Sequence, residues 1–397
     1  MNKRDAERNI KLYRTYVTFR EPLLWGSVLI SSIIHLGHMT LSEIYFMESI
    51  VLLGMIFLQV PMGALADIIG RKKTVIIGSL LYVVSITWFA VARSPFDVWA
   101  GNLAWMVGAS LCSGADSAFL YDTLKSVGRE SEYKKIDGGA AGNQLLIVAI
   151  CAIAAGYLAQ ISLRLPLLLS IPGVIFSSIL PFFFKEPPMD RKFTAKEQMG
   201  VMKLGILFVA NHKEVKWIIG FTTLIGVISK IWFFTYNPYF ELVKLDLKYY
   251  GVVFFTLNVI AWFFSKHAHR ISGRFKERTL TILMVLLIGI PILVMGSAVS
   301  VFAVCMVFPQ NIVRGFMRPF FGEFLNRHLD SENRATVLSV KESVSGLAQF
   351  IALGMFGLLL KSWGLSLCLQ ILGATVIILG IVFILKYEKI FGRAGGY

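Results

Sequence analysis

The residues of this 397-residue chain that could do chemistry are ionisable groups set inside long apolar runs. An ionisable side chain in hydrocarbon is costly, so it faces a polar space, takes a partner or serves a function. Glu48 stands about two turns into such a run, and a carboxylate left uncompensated there tends to bind a proton because desolvation disfavours its charge. Glu48 and Asp116 are therefore the candidates for carrying a proton. The other reading of Glu48 is a fixed pairing with a cation such as Arg20. Arg20, Lys230, Asn311, Arg314 and Lys341 are the candidates for lining a polar cavity that meets a solute. Asp122, Arg318, Glu323 and Glu342 read as gate or interface groups, Asp122 and Glu323 close to the ends of their runs. Lys341 and Glu342 are immediate neighbours, which places them on different faces of a helix. The span cations Lys230, Arg314, Arg318 and Lys341 lie in the second half of the chain, whereas Glu48 and Asp116 lie in the first. That asymmetry suits a solute bearing negative charge or a zwitterion; equally, the groups could pair across the halves as a gate.

The elements that must position these groups follow from composition. Hydrophobic residues are 56% of the chain and charged residues 16%, against about a quarter charged in soluble domains. A soluble enzyme of this length is excluded. With about 20 apolar residues needed to cross a bilayer, the chain reads as about twelve spans. They lie near 13–34, 41–63, 74–92, 97–120, 138–159, 165–184, 217–239, 249–265, 280–298, 299–324, 335–360 and 364–386. The clean apolar part of the first, from Pro22 to Ile34, is too short to cross alone, so Arg20 and Glu21 fall in the membrane zone. In the tenth, Pro309, Gly315 and Pro319 surround Asn311, Arg314 and Arg318, which predicts a kinked helix whose freed carbonyls line a polar space.

The cations set the topology. Most of the 39 Lys and Arg fall on the side of the N-terminus, while the opposite loops hold only Arg93, Arg164, Lys244, Lys248 and Lys361. Both termini are thus expected in the cytoplasm, in the plasma (inner) membrane, and the net charge of +15 is a topology signal rather than a nucleic-acid one. The basic N-terminus leads into an apolar run without a small-residue cleavage site, so this run reads as a retained span. Residues 185–216 form the longest polar connection and divide the chain into 1–184 and 217–397, two six-helix bundles of an all-α integral membrane protein. Within that connection, 193–209 mixes charged and apolar residues as a membrane-surface helix does. Cys112, Cys151, Cys305 and Cys368 sit in apolar runs as reduced, buried thiols, and the six histidines scatter without a metal or catalytic pattern. No cofactor is expected, and no P-loop supports a nucleotide drive.

Between the second and third spans, Pro61 to Thr74 reads as a hydrophilic elbow in which Gly63 and Gly70 permit tight turning and Arg71, Lys72 and Lys73 forbid crossing. Its pattern, Gly63-x-Leu65-Ala66-Asp67-x-x-Gly70-Arg71-Lys72, resembles the loop between helices two and three of the major facilitator superfamily. The resemblance implies a 12-helix transporter of the bacterial type that works by rocking of two halves. It also implies that Asp67 engages the start of helix eleven, near 331–334, and steadies one access state. Residues 113–125 resemble span four of one bacterial branch of the family, and Arg270 to Lys276 weakly echo the elbow in the second half. Drug–proton antiporters of the family carry an arginine in span four and a Gly-Pro motif in span five. Here span four offers Ala104 or Trp105, and span five ends Ala154-Ala155-Gly156-Tyr157.

The expected function is secondary transport of a small organic solute, in the first instance proton-coupled export of an amphiphilic compound. Proton-coupled uptake of an organic anion or zwitterion is the alternative, and an integral membrane enzyme or a non-transporting receptor stands further off. The expected partners are the bilayer, a small-molecule substrate and protons, with no nucleic acid, and the expected state is a monomer.

Overall fold

The computed structural model describes residues 1–188, 205–329 and 331–392, and the side chains of all these except 60, 326 and 331–335. The described residues are helices and short connections, with no strand among them. Among the described residues, nine helical segments are long and apolar enough to cross a membrane. One of them, Thr336–Phe391, is 56 residues long. It belongs to a helix interrupted at Gly364, whose φ of 69° and ψ of 169° are not helical, so it supplies two spans. Val307–Arg327 falls outside the nine, since it carries Arg314, Arg318, Glu323 and Arg327.

The first expected span is two helices, α1 (Lys3–Phe19) and α2 (Leu29–Gly37), separated by residues 20–28. Pro22 has no N–H and restricts Glu21, so the helix stops there. One freed backbone donor, the N–H of Leu24, is satisfied by the Ser170 hydroxyl at 3.1 Å. The helices α3 (Leu41–Ile69) and α4 (Arg71–Val91) follow. The fourth expected span also divides, into α5 (Pro95–Cys112) and α6 (Ala115–Lys125), around Gly114 at φ 88°. Next come α7 (Tyr133–Ile161) and α8 (Arg164–Ile179). The later helices are α9 (Lys213–Leu242), α10 (Leu247–Ser272), α11 (Glu277–Ser297), α12 (Val307–Arg327) and the interrupted α13 (Ser331–Phe391). Most of the expected surface helix at 193–209 lies outside the described residues.

The described residues fall into two units. One takes those within Met1–Thr40, Ile50–Gln198 and Leu247–Phe255; the other takes those within Leu41–Ser49, Met199–Asp246 and Thr256–Tyr397. The first turns of α3 and of α10 are therefore each exchanged relative to a simple division at the central connection. In the first unit, α10 reaches α7 by backbone contact: a Cβ on Gly251 would stand 2.0 Å from the carbonyl oxygen of Ala152. Small residues at such crossings let helix backbones approach in lipid. The same unit buries an aromatic core in which Phe119 and Phe184 stack at 4.3 Å and Tyr16 meets Phe184 edge-on at 6.1 Å. All four cysteines are free, and Cys112 and Cys368 are buried, but Cys151 is half-buried and Cys305 exposed. Cys305 falls in the short 3-10 turn Val301–Met306 ahead of α12, where no partner helix covers its side chain as a core position would.

Candidate functional site

The elbow is shorter than its sequence suggests. Gly63 lies inside α3, which continues through Pro61 to Ile69, and a Cβ on Gly63 would meet nothing within 4 Å. The turn is confined to Gly70, whose φ of 97° few residues other than glycine adopt. Beyond it, the first N–H groups of α4 have no helical acceptor and present a partial positive charge. The carboxylate of Glu186 takes them: Oε1 accepts from Arg71 N at 2.6 Å and Oε2 from Lys72 N at 2.9 Å. The Arg71 side chain turns back one turn to Asp67, Nη1 to Oδ1 at 2.8 Å, and its Nε lies 3.8 Å from Asp122 Oδ2. Asp67 is buried, and Asp122, near the end of the fourth expected span, lies beside the same guanidinium. The side chains expected opposite Asp67, at 331–334, lie outside the described residues.

Sequence reasoning passed over Glu186. Its signal was an acid between Lys185 and Pro187 at the exit of the sixth span. Lys185 is itself fixed: its N–H donates to Asn9 Oδ1 at 2.9 Å and its carbonyl accepts from Asn9 Nδ2 at 2.8 Å. The amide of Asn9, fully buried on α1, thus sets the position from which Glu186 reaches α4.

A second group forms where the first and fourth spans break. Arg20 is the C-cap of α1, and Asp116 is in the first turn of α6, where an acid complements the helix dipole. Arg20 Nη1 donates to Asp116 Oδ2, and Asp116 Oδ1 accepts the N–H of Ser117 at 2.6 Å. The side chains are 25% and 10% exposed. Arg20 Nε is buried without a hydrogen-bond partner. Two tyrosines of α1 stand nearby: Tyr13 OH donates to Asp137 Oδ1 at 2.8 Å and Tyr16 OH to Cys112 Sγ at 3.4 Å. Arg20, considered above as a fixed partner for Glu48, is bonded to Asp116 instead. Glu48 is half-buried on α3, in the part of that helix grouped with the second unit.

The second unit holds a cavity of about 20 Å³, room for about one water. Ile228, Trp232 and Ile288 give it an apolar wall, and Tyr236, Gln310 and Arg314 a polar one. Residues 228, 232 and 236 share one face of α9 at a spacing of four, and 310 and 314 likewise share a face of α12. Arg314 is exposed, and its Nη2 donates to Asn258 Oδ1 at 2.9 Å. Asn311 is fully buried and donates both to Tyr236 OH and to the Val307 carbonyl, each at 3.0 Å. Pro319, inside α12, leaves the Gly315 carbonyl without its helical donor.

The remaining candidates separate from this cavity. Lys230 extends over the Phe234 ring, 5.0 Å from its centroid, so its charge is met by an aromatic face. Lys341 and Glu342 differ in exposure, 27% against 70%, yet Lys341 Nζ lies 3.3 Å from Glu342 Oε1. Long side chains can bend toward one another even from adjacent positions, and with Glu342 70% exposed the pair is a solvated one. Glu323 pairs with Arg327 at 3.4 Å, one turn along α12, and Arg327 also meets Glu277 at 3.1 Å. Arg318 is exposed.

Apolar helices that carry charged groups at their breaks and within their spans, a basic elbow and an arginine-lined cavity are features of a polytopic membrane protein of the transporter class. The family model of the Major Facilitator Superfamily matches residues 23–352, and the chain belongs to that family. It has the family's all-α fold, and the relatives it matches carry transporter or multidrug-resistance names. Among curated relatives, an uncharacterized transporter of Buchnera aphidicola subsp. Schizaphis graminum is 28% identical over 53% of this chain and 52% of its own length. The multidrug resistance protein MdtL of Vibrio parahaemolyticus is 23% identical over 65% of this chain and 64% of its own. The matched region thus spans between half and two thirds of these relatives. Among solved structures, the nucleoside transporter NupG superposes with a TM-score of 0.76 at 13% identity, covering 96% of this chain and 99% of that one. A D-xylose–proton symporter gives 0.71 at 12% identity, covering 95% and 96%. Likeness at that identity concerns the fold alone.

Proposed function

We propose that the chain is a secondary transporter that works by alternating access between two six-helix halves, 1–184 and 217–397, and exports an amphiphilic organic solute in exchange for protons. The observation that carries the coupling is the ion pair of Arg20 and Asp116 between the broken first and fourth spans. Protonation of Asp116 would remove the charge that the guanidinium pairs with, which weakens the bond joining these two helix ends and so couples proton binding to their rearrangement. Glu48, on α3, is the other carboxylate placed to take part. The similarity to MdtL, a multidrug resistance protein by name, supports export. In this reading the chain acts as a monomer in the plasma (inner) membrane, both termini cytoplasmic, and Asp67, Gly70, Arg71 and Lys72 form the switch that steadies one access state.

Uptake of an organic anion or zwitterion with protons has one specific observation in its favour, the exposed Arg314 guanidinium beside the cavity. Proteoliposomes carrying an internal pH dye separate the readings. Lipophilic cations, zwitterions and organic anions are presented in turn to the wild type, Asp116→Asn and Glu48→Gln. Solute-dependent proton movement that one of the two substitutions abolishes is the expected result, and its sign gives the direction. Solute flux with no proton movement would remove the coupling.

A further inference from the structure

The cavity beside Arg314 is rich in donors. A guanidinium has five N–H groups and accepts nothing. Among the described residues, the one hydrogen bond of Arg314 goes to the neutral Asn258 amide, and no carboxylate pairs with it. The Tyr236 hydroxyl oxygen accepts from Asn311, which leaves its own hydrogen to donate. Gln310 Nε2 gives one N–H to the Met306 carbonyl at 3.3 Å and keeps a second, and no acidic side chain lines the cavity. This differs from the first unit, where Arg20 is neutralised by Asp116. An exposed guanidinium without an anion beside it keeps donors free, and its planar fork matches the two oxygens of a carboxylate.

We infer that Arg314 receives the carboxylate of a singly charged amphiphile, one oxygen of which enters the small space that Trp232, Ile228 and Ile288 wall on its apolar side. The charge of the ligand is one because a single cation lines the cavity. The internal space admits about one water-sized group, so one carboxylate oxygen enters beside Tyr236 while the body of the solute remains on the exposed side of Arg314. Asn258 holds the guanidinium from behind, and Ser229 offers a hydroxyl that can donate to the second oxygen. This inference rests on the transporter reading and specifies the solute at that site. It adds a test of the site that requires no flux.

The test is direct binding to the purified full-length chain in detergent, read by quenching of tryptophan fluorescence, with three probes of one shape. They are 2-naphthoate, 2-naphthamide and 2-naphthylmethylammonium. A charge-assisted hydrogen bond predicts that the wild type prefers the carboxylate over the carboxamide by about tenfold or more. In Arg314→Gln that preference disappears, with thermal unfolding of the variant reporting an intact fold; Arg314→Lys keeps part of it. The inference is overturned if the carboxamide or the ammonium binds as tightly as the carboxylate in the wild type, if the preference survives in Arg314→Gln, or if none of the three binds. Proton movement in proteoliposomes stands apart from this result: an anion preference without coupled proton flux would leave the site in place and remove the drive.

Discussion

Glu186 closes over the start of the helix that begins at Arg71, accepting the backbone N–H groups of Arg71 and Lys72 at 2.6 and 2.9 Å from 115 and 114 residues further along the chain. The contact joins the exit of the sixth span to the turn at Gly70. A side-chain acceptor at a helix start is worth about 1 kcal/mol. Glu186→Ala should therefore lower stability by about that amount, and Glu186→Gln, which keeps one acceptor oxygen, by less. Thermal unfolding in detergent measures both. Equal losses for the two variants would show that the carboxylate does not serve as a cap.

Arg20 and Asp116 lie 96 residues apart and depend on one another for neutrality. Removing one member of a mostly buried pair leaves an uncompensated charge and costs about 3–5 kcal/mol. The losses of Arg20→Gln and Asp116→Asn should each be large, and the double variant should lose less than their sum, because neither charge is then stranded. A double-mutant cycle by denaturant unfolding gives the coupling. Strict additivity would mean that the pair contributes nothing beyond its separate members.

These two contacts mark how far the sequence could be read. Span positions were legible because hydropathy is a local property, and the turn at Gly70 was legible because glycine and three cations coincide there. Gly63 and Pro61 carry the same turn chemistry, yet α3 runs through both, since a helix in lipid keeps its hydrogen bonds inside the segment wherever it can. Pro22 and the short apolar run after it were correct signs of trouble in the first span, but not of two separate helices. The partners were not legible. Choosing Asp116 rather than Glu48 for Arg20 requires the registers of three spans relative to one another, and hydropathy is silent on register.

In the second unit, Tyr45 is fully buried at the start of α3, where its hydroxyl donates to the Ile231 carbonyl at 2.5 Å and lies 2.6 Å from Thr235 Oγ1. The same turn is held by Ser42 Oγ, which donates to the Gly357 carbonyl at 2.6 Å. Tyr45→Phe keeps the ring contacts with Phe234 and Phe356 and removes only the hydrogen bonds. The expected loss is about 1 kcal/mol, with faster hydrogen exchange confined to the first turns of α3. A loss spread evenly over the whole chain would argue against a local tie.

The crossing of α7 and α10 yields a sharper prediction, because backbone rather than side chain stands in the way. A Cβ at Gly251 would fall 2.0 Å from the Ala152 carbonyl oxygen and 3.0 Å from the Ile153 Cα, so Gly251→Ala must push the two helices apart. Overpacking of this kind costs about 1–3 kcal/mol. At Gly63 the same substitution meets open space within a helix, where alanine is favoured over glycine by about 1 kcal/mol. Paired unfolding measurements should show Gly251→Ala destabilised and Gly63→Ala unchanged or stabilised. If Gly251→Ala were neutral and cysteines placed at 152 and 251 failed to crosslink, the close backbone approach would be wrong as described.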